Sequence, residues 1–113
     1  MFEPGEIVIA KFPFSCLEST KRRPCLVLAK GDLEIDLIVA FITSTIVPTN
    51  YKYSIKISPL EKDFLTTGLK VESYIRIDKI ATLHESIISG AIGKITPQIR
   101  NELNNKLKLL FNL

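Results

Sequence analysis

Apolar residues along this chain fall into short runs that alternate or stay continuous for four to eleven positions. Only near the end do they switch to a helical spacing. GEIVIAKF (5–12) opens after Pro4-Gly5 and is rich in β-branched residues, which predicts a strand. PFSCLESTKRR (13–23) is polar with turn residues and predicts a mobile loop. PCLVLAK (24–30) predicts a second strand, closed by the turn signal Gly31-Asp32. LEIDLIVAFIT (33–43) is apolar enough throughout to be a central strand covered on both faces. TSTIVPTN (43–50) leaves the sheet as a loop, and YKYSIKI (51–57) alternates as a strand with one wet face.

The second half continues in the same way. SPLEKDFLTTG (58–68) reads as loop with a short helical turn at LEKDFL, and VESYIRIDKIATL (71–83) as a strand bent near Asp78. HESIISGAIGKI (84–95) is ambiguous, although Gly90 and Gly93 argue against one long helix. Thr96-Pro97 then supplies an N-cap and a proline at the first helical position. Ile99, Leu103, Leu107, Leu110 and Phe111 follow helical spacing, opposite Arg100, Glu102, Asn104, Asn105 and Lys108. The sum is an α+β, mainly β fold: a small barrel or curved antiparallel sheet with a terminal amphipathic helix docked on it.

Length and composition narrow this little further. The 113 residues fit a single domain spanning 1–113, and 46% hydrophobic with 24% charged residues is a globular balance. LIVAFI (37–42), the longest apolar run, is far short of the roughly 18 residues of a membrane span. MFEPGEI carries an acid and a proline where a signal peptide needs a basic start, so the expected location is cytoplasmic. Net charge is +3, from 15 basic and 12 acidic residues, which neither demands nor excludes nucleic acid. Cys16 and Cys25 lack CxxC spacing and a nearby histidine. They are expected as free thiols, Cys25 as a small buried strand residue, and no metal or other cofactor is expected.

The chemistry lies in where the charges fall. KRRPCLVL (21–28) runs three cations into a proline and a buried strand. A hairpin across Gly31-Asp32 sets Arg22 and Arg23, at the mouth of the second strand, beside Thr43 and Ser44, where the third strand ends. Arg76 and Asp78, two apart in a strand, point to one face. Guanidinium groups, hydroxyls and an Arg/Asp couple at one rim suit binding a phosphate and moving a proton. The ordinary alternative is a solvated turn and a surface ion pair worth under about 1 kcal/mol.

GEIVIAKFPF, KRRPCLVL, AFITSTI, SYIRIDKIATL and IGKIT ahead of a terminal helix, in that order, resemble the MazF/PemK family of toxin endoribonucleases over nearly the whole chain. The resemblance implies an SH3-like β-barrel, usually a homodimer, that cuts single-stranded RNA without a metal and is held in check by a cognate antitoxin protein. By similarity Arg23 falls on the family's catalytic arginine, Thr43 on its catalytic threonine or serine, and Ser44 on the neighbouring hydroxyl. Arg76 and Asp78 fall on the Arg-x-Asp of the PemK/Kid branch. Two departures stand out. The first loop, SCLESTKR, lacks the histidine of some PemK-type members, and Ala81 replaces a basic residue common in relatives.

Metal-free cleavage uses the RNA's own 2′-hydroxyl as nucleophile, leaving a 2′,3′-cyclic phosphate and a 5′-hydroxyl. It needs a proton acceptor, a proton donor and positive charge on the phosphorane. Arginine suits the last role, on the order of 3–4 kcal/mol per well-placed donor. Arg23 is therefore expected to stabilise phosphate first and transfer protons second, because its free pKa is above about 12. Asp78 is expected to act as base or to orient Arg76, with Thr43 and Ser44 binding a non-bridging oxygen. Lys11, Lys21, Arg22, Lys52 and Lys56 would extend a positive path for the backbone, and Tyr51, Tyr53 and Tyr74 would stack bases or simply cover the barrel. His84 reads as a strand-end or surface histidine. The rival readings are a non-catalytic binding toxin of the CcdB type on the same scaffold and a family member that has lost catalysis.

Overall fold

Among the described residues, six antiparallel strands and one α-helix account for almost all of the regular structure. The computed structural model describes residues 2–11, 22–33 and 35–113. The strands are β1 (Glu6–Lys11), β2 (Arg22–Lys30), β3 (Asp36–Thr43), β4 (Ser54–Ile57), β5 (Ser73–His84) and β6 (Ile88–Lys94), followed by helix α1 (Pro97–Phe111). They form one sheet in the order β4-β5-β3-β2-β1-β6, so β3, the most continuously apolar strand, is central and β4 and β6 are edges.

Side chains on a strand alternate between faces, and here each face owns a core. Ile7, Leu26, Ala40, Ile42, Ile55, Ile57, Ile75 and Ile77 point to one side and pack with Phe64, Leu69 and the helix residues Ile99 and Leu103. Val8, Ala10, Cys25, Val27, Leu37, Val39 and Leu83 point to the other, with Phe41, Ala81 and Ile88 at their margin. Burying one such Ile or Leu stabilises the fold by about 1.5–3 kcal/mol. β3 is therefore covered on both faces, as its sequence predicts.

Several boundaries differ from the sequence expectation, each for a local reason. Arg22 and Arg23 belong to β2 rather than to the loop before it, because β1 pairs that far, with Lys11 opposite Arg22 and Ala10 opposite Arg23. Leu33 and Ile35 precede β3, after Gly31 donates its N–H to the carbonyl of Asp36. Tyr51–Tyr53 stand ahead of β4, because Tyr51 closes a turn by donating its N–H to the Pro48 carbonyl at 3.0 Å. The predicted helical turn forms slightly later, as a 3₁₀ turn at Phe64–Thr67. The ambiguous 84–95 segment resolves into a 3₁₀ turn at Glu85–Ile87 and strand β6. β5 is bent as expected: Ala40 pairs with Ile80 but the next residue, Phe41, pairs with Arg76, so Ile77–Lys79 bulge out of the β3 ladder.

Helix α1 starts as its sequence dictates, with Thr96 Oγ1 accepting from the Ile99 N–H at 3.2 Å and Pro97 in the first turn. It is tied to β4 by Lys106 Nζ donating to the Ser54 carbonyl at 2.7 Å. The apolar stripe is only partly used. Ile99 and Leu103 are buried and Leu107 packs at the margin, whereas Phe111 is 56% exposed. No described helix is long and apolar enough to cross a membrane.

The two edges of the sheet are linked by two glycines. Gly68, at φ +74°, ends the 3₁₀ turn, and a Cβ there would come within 2.1 Å of the Ile92 carbonyl oxygen of β6. A Cβ at Gly93 would lie 2.3 Å from the carbonyl carbon of Thr67. The segment leaving edge strand β4 thus packs backbone to backbone on edge strand β6 and bends the sheet towards a barrel. Gly93→Ala is expected to destabilise the protein by about 2 kcal/mol or more in urea melts, whereas Gly90→Ala should change stability by less than about 1 kcal/mol. A Cβ at Gly90 meets nothing within 4 Å.

Candidate functional site

The β5 bulge places Arg76 and Asp78 where their side chains meet. Arg76 Nε donates to Asp78 Oδ1 and Arg76 Nη2 to Asp78 Oδ2, each at 2.9 Å. This is a bidentate fork, the strongest geometry for such a pair. The turn ahead of β4 adds a third partner from a distant part of the chain. The Tyr51 hydroxyl donates to Asp78 Oδ2, and the Arg76 guanidinium lies 5.1 Å from the Tyr51 ring centroid. Tyr51 is itself braced edge-on against Tyr53, with ring centroids 6.0 Å apart.

The titration behaviour of the three follows from these contacts. Burial pushes the Asp78 carboxyl up, but the hydrogen bonds from Arg76 and Tyr51 outweigh it and hold the group below its ordinary value. The hydrogen bond to Asp78 raises Arg76, and the same carboxylate, helped by burial, raises Tyr51.

Arg76 and Tyr51 line an open cleft of about 410 Å³ together with Phe41, Thr43, Ile46 and Lys79. Thr43 Oγ1 accepts the Thr45 N–H at 3.1 Å, which leaves its O–H to donate into the cleft. Alternation along β3 sorts the next residue to the other side. Phe41 and Thr43 line this cleft, whereas Ile42 and Ser44 line a second one of about 330 Å³. Arg23 borders that second cleft with Ser44, Lys70 and the Gly68–Leu69 turn.

The five residues expected to carry chemistry thus fall into two groups that meet at the end of β3. Thr43, Arg76 and Asp78 form one group, and Arg23 and Ser44 the other. The β2–β3 register, Cys25 opposite Phe41, carries Arg23 level with Thr43 at the ends of the two strands. Arg23 is exposed and, among the described residues, makes no ion pair. Thr43 and Ser44, expected as a hydroxyl pair on one phosphate oxygen, instead open to different clefts. Neighbours on an extended strand cannot share a face.

The other expected contacts scatter. Lys11 and Arg22 are exposed and cross-strand partners at the same end of the sheet as Arg23. Lys56 faces a different groove and pairs with Glu72 at 3.6 Å. Tyr53 packs against the core, and Lys52 Nζ sits 5.7 Å over its ring, so it presents little free face. Lys21, Cys16 and the rest of the first loop up to residue 21 lie outside the described residues. Cys25 is buried and free, its thiol pushed up to about 12 by burial. His84 caps the 3₁₀ turn that follows it, accepting the Ser86 N–H at 3.0 Å, away from the cluster. Among the described residues no three of His, Cys, Asp and Glu come together as a metal-binding group. Tyr51 was expected only as a base-stacking or barrel-covering residue, not as a partner of Asp78, and Lys79 carried no expectation. Tyr51 reaches Asp78 only through a tertiary turn, and Lys79 enters only through the bulge.

Residues 3–111 match the family model described as the PemK-like, MazF-like toxin of type II toxin–antitoxin systems. The chain belongs to this family. Solved structures agree on the fold of this PemK-like toxin. A mycobacterial endoribonuclease in complex with its cognate antitoxin is 17% identical, with a TM-score of 0.75 over 100% of this chain and 97% of that one. The Mycobacterium tuberculosis toxin MazF-mt6 is 21% identical, with a TM-score of 0.73 over 96% and 97%. MazF from Deinococcus radiodurans is 19% identical, with a TM-score of 0.69 over 99% and 97%. No curated protein matches the chain.

The depressed Asp78 carboxyl gives a test on stability. Such a group contributes stability that is present above the unfolded value of about 3.9 and lost as pH falls through the lower folded value. The toxin should exceed its Asp78→Asn variant by about 1–3 kcal/mol at pH 7. Thermal or urea melts of the two should converge below about pH 4 as the carboxylate protonates.

Proposed function

We propose that this PemK-like toxin is an endoribonuclease that cleaves single-stranded RNA without a metal, through attack of the 2′-hydroxyl, to leave 2′,3′-cyclic phosphate and 5′-hydroxyl ends. The observation that carries this reading is the Thr43, Arg76–Asp78 and Tyr51 group around an open cleft, with Arg23, which makes no ion pair among the described residues, level with Thr43 at the next strand end. The similar mycobacterial and Deinococcus proteins are named as an endoribonuclease and as MazF toxins, which supports it.

Each group has a role that its surroundings favour. Arg23 is exposed with no described carboxylate to neutralise it, so its fork is open to a phosphate, and it stabilises the phosphorane. Arg76 is charged and oriented, and its remaining N–H groups border the cleft, where they serve as a second phosphate contact. Thr43 donates to a non-bridging oxygen. Asp78 already accepts three hydrogen bonds, so orienting Arg76 comes before base catalysis among its roles. Lys11 and Arg22 extend positive charge past Arg23 and hold flanking phosphates. The proposed partners are single-stranded RNA, a second copy of the chain and a cognate antitoxin protein. The mycobacterial endoribonuclease was solved with such an antitoxin.

The test is mass spectrometry of a mixed-sequence RNA incubated with purified protein in EDTA. Fragments ending in cyclic phosphate are expected, and Arg23→Ala and Thr43→Ala should each lower their yield by roughly 100-fold or more. RNA left intact across many sequences would overturn the enzymatic reading and leave a toxin that acts by binding. Cleavage that appears only with added divalent metal would overturn metal independence.

A further inference from the structure

We infer that Tyr51 is a positioning residue whose hydroxyl and ring together hold the Asp78 carboxylate and the Arg76 guanidinium in the orientation that borders the Thr43 cleft. The inference rests on the ribonuclease reading for its catalytic consequence, but the geometry stands apart from that reading.

Arg76 and Asp78 are two residues apart on a bulged strand, with side chains 24% and 20% exposed. A local pair on an irregular stretch of backbone is free to swing as a unit towards water. Tyr51 reaches it from 27 residues away in sequence and touches both members, through its O–H to Asp78 Oδ2 and its ring face to Arg76. Tyr51 is in turn held by its own N–H to the Pro48 carbonyl and by Tyr53 edge-on. The turn before β4 therefore clamps the bulge of β5. Two rigid attachments on one ring fix both the position and the rotation of the fork, which a lone ion pair does not.

The hydroxyl has a second effect. Among the described residues the charged and titratable groups facing Asp78 are Arg76 from its own strand and Tyr51 from the preceding turn, with Lys79 beside them at the cleft. Removing the phenol O–H takes away one of the three donors that keep Asp78 ionised, so its carboxyl should titrate at higher pH.

Tyr51→Phe keeps the ring over Arg76 and removes only the hydroxyl. The expected result is an unchanged fold, a kcat for RNA cleavage lowered roughly tenfold with KM within about twofold, and an acid limb of the pH–rate profile moved upward. In carbon-detected NMR the Asp78 carboxyl midpoint should move in the same direction, and the Arg76 Nε–H should lose protection from exchange. Equal kcat and pH profile in wild type and variant would overturn the inference. So would a rise in KM alone, which would make Tyr51 an RNA contact. If the wild type does not cleave RNA, the ribonuclease reading fails, and the two NMR readouts still decide the positioning role. An unshifted Asp78 midpoint with a protected Arg76 Nε–H overturns it. Should the variant not fold, the wild-type Tyr51 hydroxyl proton decides, slow exchange supporting the clamp and solvent-rate exchange overturning it.

Discussion

The bulge of β5 is the constraint from which the rest of the site follows. Between Ala40 and Phe41, adjacent on β3, β5 advances from Ile80 to Arg76, leaving Ile77–Lys79 outside that ladder. Ile77 keeps its side chain in the core, and its N–H turns to the Tyr53 carbonyl on the opposite flank. An irregularity pinned from both sides like this is a stable feature rather than a frayed one. It lets Asp78 fold back on Arg76, sets Lys79 at the mouth of the cleft and leaves a gap that Tyr51 closes.

The central strand then divides the chemistry. β3 alternates as any extended strand does, and both of its faces are buried, Leu37 and Val39 in one core and Ala40 and Ile42 in the other. A one-residue slip would exchange the two cores, so its register has no freedom. The same alternation continues past the last core residue and sends Thr43 to one cleft and Ser44 to the other. The packing that makes the strand central also decides which hydroxyl can join Arg76.

The features visible in the sequence are those set by periodicity and local chemistry. Thr96-Pro97 marks a helix start by itself, the run 37–42 marks a two-faced central strand, and a hairpin near Gly31-Asp32 brings the Arg23 and Thr43 strand ends together, although their register depends on the longer 31–36 turn and the irregularity at Val27–Ala29. The features that were hidden depend on contacts across the fold. Gly93 looked like a helix breaker but is a site of backbone approach by Thr67, and nothing in its neighbours announces that. Tyr51 looked like the first residue of an alternating strand, and its link to Asp78 exists only because Pro48–Tyr51 turns instead. Phe111 matched a helical stripe, yet periodicity alone does not report that the last turn stays exposed. Residue types flagged Arg76 and Asp78 as a couple, and their side chains do pair, but the separation of that couple from Ser44 required the register.

Saturation of one group bears on which others do the reactive work. Asp78 receives three donors on a carboxylate that offers about four lone-pair positions, and a base so engaged must release a partner before it accepts a proton. Arg23 and Thr43 are the reverse case, one an unpaired cation among the described residues and the other a hydroxyl with its proton to give. On the proposed reaction, the Asp78 cluster is therefore the fixed wall of the site. The charge proposed to meet the phosphate then comes from the strand end where Arg22 and Arg23 enter the sheet. That position answers to two demands at once: Cys25 begins the buried part of β2, behind a half-buried Pro24, and Arg22 and Arg23 just before it are exposed. The strand behind Arg22 and Arg23 fixes where their backbone stands without desolvating the guanidinium groups, which preserves their charge.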